Sequence, residues 1–132
     1  MKYILDTNII IYWWKGSKSI EEKIVQNKFN SISITFTVLS ELFYGAYKSE
    51  KVEKNLSKIY DFISKVNVID SDLLICEKFG IIKSDTRKKG IVIDDADIFI
   101  AAASLCHDLT LVTNNTKHFI TIEGIKLENW LL

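Results

Sequence analysis

Three carboxylates in this chain stand where neither an ordinary core nor an ordinary surface would put them. Asp6 follows the apolar run Tyr3-Ile4-Leu5 directly. Glu41 lies among Val38, Leu39, Leu42, Phe43 and Tyr44, with the small residues Thr37 and Gly45 one turn to either side. Asp97 opens the most apolar segment of the chain, with Ala101 one turn on and Asp94 one turn before. A charged group on so apolar a segment is paired, metal-bound or aimed into a cleft. Each acid alone has a plainer account, as a turn former after a strand or a first-turn acid favoured by the helix dipole. As a set they imply more. Clustered carboxylates repel, a cation relieves them, and an all-oxygen set without His or Cys favours Mg²⁺ or Mn²⁺. Such an ion lowers the pKa of a bound water and stabilises charge on an attacked phosphorus, which is the chemistry of phosphodiester hydrolysis or phosphoryl transfer.

The elements that must carry these acids alternate. A short buried strand ends in Asp6, and Asn8 reads as the cap of a helix through Ile9-Ile10-Ile11-Tyr12-Trp13-Trp14 that stops at Lys15-Gly16-Ser17. Ser19, with Glu22 three residues on, predicts a capped helix to Lys28. Ser31–Thr35 alternates polar and β-branched residues as a strand does, and Thr37 reads as the cap of a helix over Val38–Lys48. A charged helix follows to Lys65, with Leu56, Ile59, Tyr60 and Ile63 on its apolar face. Val66–Asp70 is a third strand, Leu73–Lys89 a long helix ending in Arg87-Lys88-Lys89, and Asp94 or Asp95 caps the helix to Cys106. Leu109–Thr113 is a fourth strand, Asn115–Phe119 a turn or short helix, and Ile125–Leu127 a last extended piece before Trp130.

No two strands are joined by a tight hairpin. The expected fold is therefore an α/β/α three-layer sandwich around a central parallel sheet, in one domain spanning 1–132. In such a sheet Asp6, Glu41 and Asp97 all fall on the edge where the strands' carboxyl ends lie, and ligands bind there.

Composition excludes several classes. Acidic and basic residues balance at 17 each, so no net field advertises a polyanion, although a local basic patch suffices for one. Cys76 and Cys106 are too few and too isolated for a zinc site, and both are expected to be free core thiols in a reducing cytoplasm. The N-terminus lacks the pattern of a signal peptide, and no apolar run reaches the roughly 18 residues of a membrane span.

Four blocks in order resemble the PIN-domain ribonucleases, and among them the VapC-type toxins of bacterial toxin–antitoxin pairs. They are Leu5-Asp6-Thr7-Asn8; Glu41-Leu42-Phe43-Tyr44-Gly45-Ala46; Gly90 to Asp97 with Ile100-Ala101-Ala102; and Val112-Thr113-Asn114-Asn115-Thr116-Lys117-His118-Phe119, closed by Gly124 and Glu128-Asn129-Trp130. The resemblance covers essentially the whole chain. It implies an endoribonuclease dependent on Mg²⁺ or Mn²⁺, held by Asp6 and Asp97 with Glu41 acting through water, and leaving a 5′-phosphate and a 3′-hydroxyl. Thr7, Asn8 and Thr113 would hydrogen-bond around these acids, with Asp94 beside them. Many relatives carry a fourth acid where this chain has Asn115, so a second metal position lacks its charge and Asn115 is left to orient water.

The same resemblance implies partners. The substrate class is RNA, with tRNA, the initiator tRNA included, as the expected target; Lys48, Arg87, Lys88 and Lys89 are candidates for its backbone. A homodimer is expected, silenced by a VapB-type antitoxin in a heterotetramer or larger assembly, with Tyr12, Trp13, Trp14 and Phe43 as the candidate contact surface. Two alternatives are weighed. A haloacid dehalogenase-like phosphatase needs a second Asp two residues after Asp6, where Asn8 stands, and a catalytically weak RNA-binding PIN domain is conceivable because of Asn115.

Overall fold

A computed structural model describes residues 1–132. Its sheet has five short strands, β1 (Tyr3–Leu5), β2 (Ile32–Thr35), β3 (Asn67–Ile69), β4 (Thr110–Val112) and β5 (Lys126–Glu128). They lie in the order β3-β2-β1-β4-β5, and every pair is parallel. Seven helices connect them: α1 (Thr7–Trp14), α2 (Lys18–Asn27), α3 (Phe36–Tyr47), α4 (Val52–Ile63), α5 (Leu73–Lys88), α6 (Asp95–Cys106) and α7 (Thr116–Phe119). The expected α/β/α sandwich is the observed one. Right-handed crossovers put α1–α4 against one face of the sheet and α5–α6 against the other.

The central strand β1 and its neighbour β2 are the most deeply buried. Tyr3, Ile4 and Leu5 are all buried, and β2 is buried along all four residues. The polar–apolar alternation of β2 therefore does not mark a solvent face, because helices cover both sides of the sheet. Its Ser33 is satisfied inside, donating to the Tyr3 carbonyl at 2.7 Å. α6 is the matching buried helix: Ile98 and every residue from Ile100 to Ser104 are out of solvent. Ala101, Ala102 and Ala103 let its backbone lie close to the sheet, where it packs on β2 and β4.

Three helix starts differ from expectation in the same way. Asp6 rather than Asn8 caps α1, Ser17 rather than Ser19 caps α2, and Thr35 rather than Thr37 caps α3. At α1 and α3 the strand enters the helix with no intervening loop, so its last polar residue is already the cap. The thiols also depart from expectation. Both are free, but Cys76 is exposed and Cys106 half-buried, so neither belongs to the core. No helix is long and apolar enough to cross a membrane.

Candidate active site

Strand order reverses at β1: the chain steps outward to β2 and β3 on one side, then returns to place β4 and β5 on the other. The crevice beyond a strand's carboxyl end at such a reversal is the natural ligand position of an open parallel sheet. Asp6 sits there, 7% exposed. Its backbone N–H donates to Val112 O at 3.0 Å, which continues the β1–β4 ladder and locks it against the neighbouring strand. Its Oδ1 accepts the Thr7 N–H at 2.8 Å, and its Oδ2 accepts the Thr113 hydroxyl at 2.9 Å. Thr113, wholly buried, also accepts the Asn115 N–H at 3.0 Å, so its own proton is directed to Asp6.

Burial pushes the Asp6 carboxyl above the usual carboxylate range, against the hydrogen bonds from Thr113 and Thr7 and the attraction of His118. Asp97, in the first turn of α6, faces it. Burial first, and then the charge of Asp6, lift Asp97 to about 6; Asp94 and Glu41 add smaller repulsions, and His118 pulls the other way. The two carboxylates therefore feel each other directly, and Glu41 and Asp94 stand near enough to matter while both remain exposed.

No three acidic, His or Cys side chains converge to hold an ion directly. The donor set still fits a hard divalent cation that keeps most of its waters, since one or two carboxylates suffice for Mg²⁺. Asp6 and Asp97 are two such carboxylates, mutually repelling and each with lone pairs to spare. Next to Asp6 in the chain, the buried Thr7 hydroxyl lacks any hydrogen-bond partner.

The remaining expected residues divide. Thr7 and Thr113 lie against Asp6 as anticipated, whereas Asn8 and Asn115 are exposed beside it. Lys48 ends α3 on the α1–α4 side, while Arg87, Lys88 and Lys89 end α5 on the opposite side, with Lys89 paired to Asp85 at 3.3 Å. The expected antitoxin-facing aromatics are partly spent within the chain. Trp13 packs on Phe29 and Phe62 and its indole N–H donates to Glu21, Phe43 meets Tyr60 edge-on, and Trp14 meets Phe62. Tyr12 is exposed, and Trp14 alone of the four lines the groove between α1, α3 and α4.

One site residue has no assigned role in the sequence reading. His118, on α7, places Nε2 at 3.5 Å from Asp97 Oδ2. Its ring is backed by the fully buried Phe119, edge-on at 5.5 Å. Its signal was positional: a His shortly past the carboxyl end of β4 is carried to the same edge as Asp6.

The PIN domain family model matches residues 3–124. The chain belongs to the PIN-domain family. Within the family it is 39% identical to ribonuclease VapC2 of Rickettsia felis, covering 98% of each chain. It is 34% identical to the tRNA(fMet)-specific endonuclease VapC of Shigella flexneri, again over 98% of each. In shape this PIN domain is similar to a chain of the DNA-bound VapBC crystal structure from Salmonella typhimurium, with TM-score 0.93, 35% identity and 98% of both chains covered.

Thr113 is the most exacting support of the site. Thr113→Val keeps the shape but strips Asp6 Oδ2 and the Asn115 N–H of their partner, at an expected cost of about 1–3 kcal/mol. It also drives the Asp6 carboxyl further up. Urea denaturation and carboxyl-carbon NMR titration read the two effects, and wild-type stability with an unmoved Asp6 titration would contradict the assignment.

Proposed function

We propose that this PIN domain is a divalent-metal-dependent endoribonuclease, the toxin of a toxin–antitoxin pair, with tRNA as its substrate and a VapB-type antitoxin as its silencing partner. The observation that carries the reading is the facing pair Asp6 and Asp97 at the strand-order reversal, in a chain similar end to end to VapC ribonucleases. The tRNA target rests on the Shigella flexneri relative and the antitoxin on the VapBC assemblies. Assembly as a homodimer, and as a heterotetramer or larger with antitoxin, is part of the same proposal.

Asp6 and Asp97 would hold the ion, Mg²⁺ or Mn²⁺, with Glu41 contributing through water. When bound, a divalent ion supplies a water acidic enough to attack phosphorus at neutral pH and screens the charge on the attacked phosphate. Thr113 and the Thr7 amide fix which Asp6 lone pairs face the crevice. Exposed at the rim, Asn115 orients water, in place of the acid that many family members carry. His118 steadies Asp97 from the solvent side. The closed interior below Asp6 keeps other water away from that carboxylate.

Purified protein with Mg²⁺ or Mn²⁺ cleaves RNA, EDTA stops it, and Asp6→Asn or Asp97→Asn lowers the rate by at least about 10²-fold, as loss of an electrostatic contact in an active site does. Cleavage at the wild-type rate by either variant would sink the assignment.

The ion's absence has its own signature. Asp97 binds its proton more tightly in the fold than in the unfolded chain. The stabilisation this provides is complete in acid and is lost as pH rises through about 6. At pH 7.5 in EDTA, Asp97→Asn should therefore exceed wild type in stability by about 1 kcal/mol, allowing for solvent screening at this partly exposed position. At about pH 3, below the ordinary carboxyl value of 3.8, the difference should close. Urea denaturation at both pH values checks it, and a gap independent of pH would contradict the coupling.

His118→Ala should weaken Mn²⁺ binding by about 10-fold or more, the usual effect of removing a group that orients a metal carboxylate, with little change in melting temperature. His118→Gln should restore part of it. Calorimetric titration with Mn²⁺ decides, and an unaltered affinity in the Ala variant would remove His118 from the site.

A further inference from the structure

A groove of about 440 Å³ runs between α1, α3 and α4, and Glu41 lies in its wall. Its floor and sides are apolar, from Ile11, Trp14, Leu42, Ala46 and Ile59. Three lysines, Lys15, Lys48 and Lys58, stand in the same wall, and none of them pairs with an acid anywhere in the chain. Two are held over aromatic rings, Lys48 at 4.8 Å from the Tyr44 centroid and Lys58 at 5.6 Å from that of Trp14. Glu41 is the only acidic residue in the lining. From Glu41 to Lys48 the helix advances about 10 Å at 1.5 Å per residue. On a chain whose formal charge sums to zero, three cations against one acid around a single apolar groove make it locally basic, as a polyanion site is.

We infer that this groove seats a short single-stranded stretch of the RNA substrate, with Lys15, Lys48 and Lys58 on its phosphates and the Trp14 side of the groove against a base or ribose. The inference rests on the ribonuclease reading and deepens it. Glu41 belongs both to the groove and to the acids that act on Asp97, so a strand lying there leads directly to the carboxylate pair. Basic grooves lined with aromatic residues bind single strands without base-specific hydrogen bonds, through phosphate charge and stacking. Arg87, Lys88 and Lys89, on the other side of the sheet, are left outside this track.

The test compares two charge-matched triple variants in an Asp97→Asn background, which retains the whole chain and stops cleavage. One is Lys15→Gln/Lys48→Gln/Lys58→Gln, and the other is Arg87→Gln/Lys88→Gln/Lys89→Gln. Binding of a fluorescein-labelled single-stranded RNA is followed by anisotropy over a range of KCl concentrations, with circular dichroism to confirm folding. Each phosphate contact on a single strand contributes about 0.7 to the slope of log affinity against log salt. The groove triple should lose about 10-fold or more in affinity at low salt, and its slope should drop by about 2. The α5 triple should keep the parent slope. Equal losses in the two triples, or an unchanged slope in the groove triple, overturn the inference. So does a groove triple that binds RNA normally but loses an acidic peptide or protein partner, which would give the groove to that partner instead. Wild-type protein run beside them separates the two readings. If it neither cleaves nor binds RNA, the ribonuclease reading falls and this inference with it; if it cleaves while the groove triple binds RNA as the parent does, only the groove is lost.

Discussion

A nearly buried carboxylate at the end of the central strand is the constraint on which the rest of this structure depends. Asp6 loses most of its hydration, and a charge so placed is tolerated only where hydrogen bonds replace the water. Both replacements come from fixed points. The Thr7 amide is available because Asp6 caps α1, and the Thr113 hydroxyl because β4 lies beside β1 in the register that sets Leu5 against Val112. A slip of β4 would turn Thr113 to the other face of the sheet and leave Asp6 unsupported. The crossover of α5 and α6 that brings β4 to β1, the parallel order of the sheet and the chemistry at its edge are therefore a single requirement.

The second acid shows the same logic from the opposite face. α6 is so thoroughly buried that its position is set by packing, and Asp97 in its first turn has no freedom to retreat far from Asp6. The dipole of the helix favours a negative charge there, but not enough to cancel burial and the neighbouring carboxylate, so its proton is held up to about 6. Both acids are thus less comfortable ionised in the fold than in the unfolded chain. A cation bound between them would remove that discomfort and convert a local destabilisation into affinity. A site that is rigid and mutually repulsive before loading needs little rearrangement when loaded.

What the sequence made legible follows from what each residue reports. Alternating apolar strands and periodic helices carry long-range information through burial, so the parallel sandwich and the common edge of Asp6, Glu41 and Asp97 could be read. The caps of α1, α2 and α3 lie two residues before Asn8, Ser19 and Thr37, the ones the sequence suggests, because a second polar residue follows each true cap. At α1 and α3 the strand also runs straight into the helix. His118 and Lys58 were illegible for another reason. Nothing local distinguishes them from solvated surface residues, and their meaning arises only when α7 and α4 carry them to the site and its groove. The aromatic run Tyr12-Trp13-Trp14 was ambiguous because adjacent helix positions face different neighbours. Trp13 turned to the Phe29–Phe62 cluster and Trp14 to the groove wall.

The charge balance of the whole chain conceals a partition. Acids gather where the strands end, while lysines free of ion pairs line the adjoining groove. A polyanion approaching this surface is attracted along the groove and repelled at its end, where Asp6 and Asp97 meet, until a cation reverses the sign there. On the proposed reading, recognition and cleavage fall to separate charges on adjoining parts of one surface. On that reading, holding the strand would not require the ion, and holding the ion would not require the lysines. An inhibitor that supplied its own cation to the carboxylates while covering the apolar floor of the groove would use both halves at once.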